Sequence, residues 1–317
     1  MRLSGQDLRT RARALAFSPR VPFEGRIRLL YWKRRQSWRT RHPVTFTQKM
    51  LWKMTKDRRP LLTTFADKIA VRDYVADAIG AELLTRLYAV VADPAELDLA
   101  RLPKEFVVKP NHASGLIWIV ADRTLPLGQG SRESACLASG MFTTTRDALD
   151  KDLLVATCRK WLKTTYADLE LEWAYRNIPP QILVEELLLE AEGRIPPDYK
   201  FFVFHGRVRL VQVDTDRFDG HRRNLFLPDW SVVDAQWIYP PAEHELLRPD
   251  SLDRMIHIAE VLGQETDFVR VDLFEIAGRI VFGELTSYPE GPYAPSFSPE
   301  SFDAELGRYW TLPKRYS

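Results

Sequence analysis

Residues 267–288 read DFVRVDLFEIAGRIVFGELTSY, two β-rich runs on either side of Ala277-Gly278-Arg279. Such runs around a short Gly-containing break signal a β-hairpin. Side chains alternate along a strand. Arg270, Asp272 and Phe274 are therefore expected on one face of the first strand, and Phe282, Glu284 and Thr286 on one face of the second. A three-residue turn pairs Ile276 with Ile280 and sets Asp272 opposite Glu284, with Cβ atoms about 4.5–5.5 Å apart. Two carboxylates that close repel unless a cation or a shared proton lies between them. Oxygen-only ligands from one strand pair suit Mg²⁺, which takes one or two carboxylates and leaves its other positions to water and phosphate. The competing reading is two surface acids on a solvated strand, and a two-residue turn would separate them.

Outward from this hairpin, the chain has 317 residues, a length that suits two or three packed lobes. Hydrophobic residues make up 45% and charged residues 28%, the balance of a globular protein. No apolar run approaches the ~20 residues needed to span a bilayer, and no secretory h-region is expected. Cys136 and Cys158 are the only cysteines, without CxxC or His-rich spacing, so neither a disulfide framework nor a zinc site is expected, and a cytoplasmic location is. The net charge of +2 hides a split. Residues 1–60 carry 17 Lys or Arg against Asp7, Glu24 and Asp57, leaving 28 bases and 40 acids in the remainder. An arm of that kind either docks on the acidic body or meets an anionic partner.

Residues 1–40 interleave that basic charge with Leu29, Leu30, Tyr31 and Trp32, which are expected to pack on the body. Peripheral contact with anionic lipid is the alternative; no nucleic-acid motif is present. Residues 45–56 read as a short amphipathic helix with Phe46, Met50, Lys53 and Met54 on one face. A second helix is expected after Thr63 or Thr64, ending at Gly80, with Lys68 and Arg72 one turn apart on it. Residues 83–91 read as a strand. Residues 106–108 form another, ended by Lys109, and a polar loop at 111–115 leads into a strand at 116–120. A strand-ending lysine beside a small-residue loop can hold phosphate oxygens; taken alone, the motif is better explained by a simple hairpin with an exposed lysine. Residues 123–150 read as loop, 147–166 as helix, and QILVEELLLE as a buried run broken by Glu185 and Glu186. A second hairpin turns at His205-Gly206, with Lys200, Phe202 and Phe204 on one face. A helix at 251–263 precedes the opening hairpin, and a short one lies within 298–307.

The order of these parts is more specific than any one of them. ADKIAVRDYV, LPKEFVVKPNHASG, ILVEELL, DYKFFVFHG, FVRVDLF and FGELT resemble the TupA-like ATP-grasp family, linked to teichuronopeptide and other surface-polymer synthesis, over residues 46–307. The resemblance implies an α+β ATP-grasp fold, two α/β lobes with mostly antiparallel sheets sandwiching the nucleotide. It divides the chain into a basic arm (1–60), an N-terminal lid portion (61–185) and a C-terminal lobe with the metal site (186–317).

Carried over to this sequence, the resemblance assigns nucleotide phosphates to Lys68 and Lys109 and a mobile phosphate-covering loop to Asn111, His112, Ser114 and Gly115. Glu185, Glu186 and Leu187 become the adenine hinge and Glu190 a ribose contact. Lys200 reaches the terminal phosphate, Arg270 joins it as a catalytic cation, and Arg217 and Asn224 face the acceptor. Asp272 and Glu284 bind Mg²⁺; related enzymes often carry Asn where this chain has Thr286. The implied activity is an ATP-dependent carboxylate–amine ligase working through an acyl phosphate, with a small-molecule or lipid-linked sugar acid and an amine or amino acid as partners. Absence of a Ser–His–Asp or Cys–His arrangement agrees with a reaction that needs no covalent nucleophile. The alternatives are a sugar kinase on the same ATP site and a non-catalytic binding module, with the protein in the cytoplasm or at the inner face of the membrane.

Overall fold

The computed structural model describes residues 21–27, 42–122, 140–191, 193–216, 220–314 and 316. Arg217, Cys136, most of the basic arm and most of the loop expected at 123–150 lie outside the described residues. Three helices open the main body: α1 Phe46–Lys56, α2 Pro60–Ala66 and α3 Ala70–Ile79. Five strands follow, β1 Leu87–Val91, β2 Phe106–Pro110, β3 Ile117–Val120, β4 Met141–Thr144 and β5 Ile182–Glu185, with α4 Lys151–Leu162 and α5 Tyr166–Leu169 between the last two. Then come β6 Asp198–Phe204, β7 Arg207–Thr215, β8 Arg222–Phe226, α6 Leu252–Leu262, β9 Phe268–Ile276, β10 Arg279–Thr286 and α7 Glu300–Arg308.

The strands form two five-stranded sheets, ordered β1-β5-β2-β3-β4 and β10-β9-β6-β7-β8. Every pairing is antiparallel except β3 with β4. The first sheet packs Phe106, Val108, Trp118, Ile182 and Val184 against Leu154, Cys158 and Trp161 of α4. The second sheet is covered on both faces. Phe201 and Val203 enter a core with α3 and α6, whereas Phe202 and Phe204 enter an aromatic core with Phe46, Phe268, Trp237, Phe297 and Trp310. Alternation along β6 therefore sends consecutive residues into different cores. Lys200 continues the face of Phe202 and Phe204, so the aromatic core gives way to charge toward one end of the sheet.

Cores divide the chain differently from the resemblance. Phe65, Val71, Val75 and Leu83 belong to the core of the second sheet, and Phe46 and Met50 to its aromatic face. The segment from α1 to the start of β1 thus packs with the later lobe, and the first sheet begins near residue 87. The helix expected through Lys68 is two helices: Thr63 and Thr64 lie inside α2, and Lys68 sits in the turn before α3. β1 starts only at Leu87, after a helical turn at Ala81–Leu83. β4, a short partner for β3, was not expected, because its pattern MFTT is too brief to stand out.

The opening hairpin also differs. Its turn has two residues, Ala277 (φ 51°) and Gly278 (φ 79°), and Arg279 pairs with Ile276. That register would offset Asp272 from Glu284, yet the two are partners, because the register shifts between Phe282 and Glu284. The extra residue is Gly283, a β-bulge. A Cβ there would lie 3.0 Å from the Asp272 carbonyl oxygen and 3.0 Å from Phe274 Cε2, a close approach that glycine permits. The bulge also reverses the alternation: Ile280, Phe282 and Leu285 join the core, while Glu284 bonds to Arg270 on the opposite face. Phe282 and Glu284 therefore do not share a face.

Candidate functional site

Register places one residue from each of four strands in a line across the second sheet. Gln212 on β7 faces Lys200 on β6, Lys200 faces Asp272 on β9, and Asp272 faces Glu284 on β10. Arg270 clamps the acidic end. Its Nε donates to Asp272 Oδ1 and its Nη2 to Asp272 Oδ2, both at 2.7 Å, and Nη2 also donates to Glu284 Oε1 at 2.9 Å. Thr286 accepts from Arg270 at 3.2 Å and donates to Glu284 at 2.8 Å. The Lys200 ammonium donates to Asp272 Oδ2 at 2.5 Å and to Asp198. Asp272 and Lys200 are 2% and 3% exposed, so these charges exist only because they are paired.

Electrostatics sort the acids by surroundings. Burial, with Asp198 and Glu284 beside it, pushes Asp272 up to about 6 against the pull of Arg270 and Lys200. Burial also works against the Glu284 charge, but Arg270, Lys200, the Thr286 hydroxyl and Lys68 outweigh it and hold Glu284 below the usual range. The same two carboxylates hold Arg270 above its ordinary value in spite of burial. Burial and neighbouring Lys109 push Lys68 down to about 8. Nearby, burial together with Glu170 and Glu284 raises Glu172 well above the carboxylate range.

A cleft of about 680 Å³ runs between the sheets, a volume that suits a small-molecule ligand. Its lining combines charged groups, Lys68, Lys109 and Glu284 among them, with apolar ones such as Val107, Ile119, Leu187 and Phe274. The Leu187 N–H makes no hydrogen bond among the described residues. A chain model described as TupA-like ATPgrasp matches residues 48–311.

The protein belongs to the TupA-like ATP-grasp family.

No curated protein matches it. Among solved structures, the D-alanine–D-alanine ligase from Bacillus anthracis is 14% identical with a TM-score of 0.41, over 78% of this chain and 66% of that one. VanG D-Ala:D-Ser ligase from Enterococcus faecalis is 14% identical with a TM-score of 0.38, over 72% and 54%. PurK, an N5-carboxyaminoimidazole ribonucleotide synthetase, is 14% identical with a TM-score of 0.37, over 77% and 51%. This chain thus spans between about half and two thirds of their lengths. The fold is the ATP-grasp one, α+β with two mostly antiparallel sheets.

In this TupA-like ATP-grasp protein the expected residues fall into three groups. Lys68, Lys109, Glu185, Glu186, Leu187, Glu190 and Glu284 line the cleft. Lys109 pairs with Glu185, which also accepts from Thr85 at 3.0 Å. Glu186 is held by Arg279 at 2.9 Å, and its backbone N–H is taken by Arg86 O; of the three residues expected at the hinge, Leu187 keeps a backbone N–H without a partner among the described residues. Lys200, Arg270 and Asp272 form the second group, buried behind the cleft wall and paired to one another rather than open to it.

The third group is turned to structural work. Asn111, expected on a mobile loop, is fully buried: its amide nitrogen donates to Asp67 and Pro179 O, and its oxygen accepts from Gln181 N–H at 2.8 Å. His112 is buried beside it. Only Ser114 and Gly115 (φ 74°) form an exposed tip. Asn224 accepts from Ala242 N–H at 2.9 Å. Gln212, Asp198 and Glu172 were missed; a Gln inside the apolar run VRLVQV and an Asp two residues before Lys200 were the available signals.

An ionised carboxylate has about four lone-pair sites. Asp272 uses three on Arg270 and Lys200, leaving one on Oδ1, and Glu284 Oε2 makes no hydrogen bond among the described residues. No group of three or more His, Cys, Asp or Glu is arranged to hold a metal among the described residues. The donor set is oxygen-only with two acids, which fits a hard ion that leaves positions to water and phosphate.

Proposed function

We propose that this protein is an ATP- and Mg²⁺-dependent carboxylate–amine ligase that works through an acyl phosphate. The observation that carries the reading is the line Gln212–Lys200–Asp272–Glu284, clamped by Arg270 and reaching the cleft at Glu284. The cleft offers both kinds of surface a nucleotide needs, apolar side chains for a base and the cations Lys68 and Lys109 for phosphates. The adenine lies against Leu187 and its backbone, and the phosphates reach the two lysines. Asp272 and Glu284 hold Mg²⁺, which when bound supplies charge neutralisation on the phosphate oxygens.

The acceptor carboxylate attacks the γ-phosphorus, the bond to the β-phosphate oxygen breaks, and ADP leaves with that electron pair. An amine then attacks the acyl carbon, the C–O bond to phosphate breaks, and phosphate departs as the amide forms. Lys68, Lys109, Lys200 and Arg270 position these groups and offset their charge. Membership of the TupA-like family supports an acceptor drawn from a surface-polymer precursor, a sugar acid or amino acid, free or lipid-linked. A cytoplasmic protein whose basic arm visits the inner face of the membrane would meet such precursors. Among the described residues, no helix is long and apolar enough to cross a membrane.

Mass spectrometry after incubation with ATP, Mg²⁺, candidate sugar acids and amino acids tests the reaction. An amide with ADP and phosphate is the expected outcome. A phosphorylated hydroxyl product would establish the kinase instead, and failure to bind Mg–ATP in calorimetry would leave only a binding module.

A further inference from the structure

One buried atom in the charged line has no partner among the described residues: Gln212 is 0% exposed, and its Oε1 accepts no hydrogen bond from any of them. Its orientation is fixed by chemistry. Its amide Nε2 lies 3.0 and 3.1 Å from the two Asp214 oxygens. Asp214 is an ionised carboxylate, since Arg223 grips it at 2.7 and 2.9 Å and His221 stands beside it, which together outweigh the burial that opposes its charge. A carboxylate accepts only, so the nitrogen of Gln212 must face it and the oxygen must point elsewhere. Arg223 is held in turn by Glu290 at 3.1 Å and by the faces of Trp237 and Tyr239. A rigid chain of bonds thus presents a bare carbonyl within the sheet, and native proteins rarely leave such an acceptor without a use.

Lys200 is the donor the fold sets against it. The two residues are direct cross-strand partners on one face, where Cβ atoms lie about 4.5–5.5 Å apart. An ammonium has three N–H donors, and Lys200 uses two, on Asp198 and Asp272. Arg270 is engaged with Asp272, Glu284 and Thr286. We propose that Gln212 is a positioning residue for Lys200: when Asp272 turns its oxygens to a divalent cation, the Lys200 ammonium exchanges Asp272 for Gln212 Oε1. It then keeps Asp198 and Gln212 as anchors and has its third N–H free for the transferring phosphate. The inference rests on the ligase reading, because it uses Asp272 as a cation ligand. It adds to that reading a residue and a change of partner that assigns a purpose to the bare carbonyl.

The decisive experiment is a crystal structure of the full chain soaked with Mg²⁺ and AMPPNP, together with kinetics of Gln212→Met. Lys200 Nζ is expected within hydrogen-bond distance of Gln212 Oε1, and no longer on Asp272, in the loaded protein. Gln212→Met is expected to bind Mg–ADP with affinity within about twofold of the parent, yet to lower kcat for ADP release by ~10²-fold, the split expected when a group acts only in the transfer step. If Gln212→Met does not fold, the loaded structure of the unaltered chain still decides. Bound nucleotide with Lys200 unmoved and Oε1 still bare overturns this inference alone, as does an unchanged kcat in Gln212→Met. Absence of any Mg–AMPPNP binding overturns the ligase reading and this one together.

Discussion

Among the described residues, two lysines are each buried between two aspartates. Near the start of β9, Lys53 donates to Asp57 and Asp267, each at 2.7 Å; farther along the same strand, Lys200 donates to Asp272 and Asp198. The first cluster is closed. Asp57 is also held by Arg59, and Asp267 accepts from Trp310 at 2.7 Å and Tyr316 at 2.6 Å. It ties α1 and the C-terminal segment to the sheet beside the aromatic core. The second cluster is open. Among the described residues it leaves the Gln212 oxygen bare, keeps a lone pair on Asp272 and one oxygen of Glu284 spare, and it reaches the cleft at Glu284. A buried ion pair by itself therefore says little about function. Incomplete satisfaction beside a cavity is what separates a candidate site from a staple.

Several substitutions break or sharpen that contrast. Asp272→Asn should act on chemistry: ATP turnover should fall by ~10³-fold, the scale on which charge-stabilising groups contribute, while the protein remains folded by circular dichroism. Full ADP release by this variant would remove Asp272 from the site. Lys53→Met should do the reverse. It removes the ammonium that Asp57 and Asp267 share, leaving Arg59 beside both, and should cost about 3 kcal/mol of stability, read as a lower urea midpoint with an unchanged slope. Turnover per folded molecule should stay within about twofold of the parent; a large loss would make the closed cluster functional as well.

Gly283→Ala tests the bulge that brings Asp272 and Glu284 together. The added methyl meets a backbone oxygen and a ring at 3.0 Å, and overpacking of this kind costs about 1–3 kcal/mol. Turnover should fall with it, because the pair shifts; a variant that melts earlier at full activity would dissociate the bulge from the site. The smallest expected effect is on pH. Lys68 sits at about 8 because burial and Lys109 disfavour its charge. It is protonated below that value and loses its charge as pH rises through it, so ADP affinity should weaken several-fold between about pH 7 and 9. Lys68→Met should flatten the profile, and an unaltered slope in that variant would assign the titration elsewhere.

Most of the second sheet was legible from its alternation. VRVDLF and RIVFGEL give strands because β-rich residues recur with a period of two, and HG and AG give turns because their glycines adopt positive φ without strain. The roles implied for the loop at 111–115 were harder to read. NHASG looks polar and mobile, yet Asn111 satisfies three separate backbone or side-chain partners, and buried bracing of that kind has no local signature. Lys68 and Arg72 looked like helix neighbours because an apolar period runs through them, although the chain breaks at Asp67. Gln212 was passed over because one polar residue in an apolar run does not reveal which face it takes or what stands opposite.

By itself the sequence determined the hairpins and the membership of a family, and it offered Asp272 and Glu284 as candidate acids. Those follow from local propensity, periodicity and residue type, which a linear string carries. Only the tertiary structure decided that the acids face each other, since a two-residue turn would have parted them and the bulge at Gly283 restored the pairing. It also decided that Arg270 clamps both acids, and that helices α1 to α3 pack with the second sheet rather than the first. The reason is physical: register, facing and burial are properties of pairs of segments, fixed by which surfaces exclude water together.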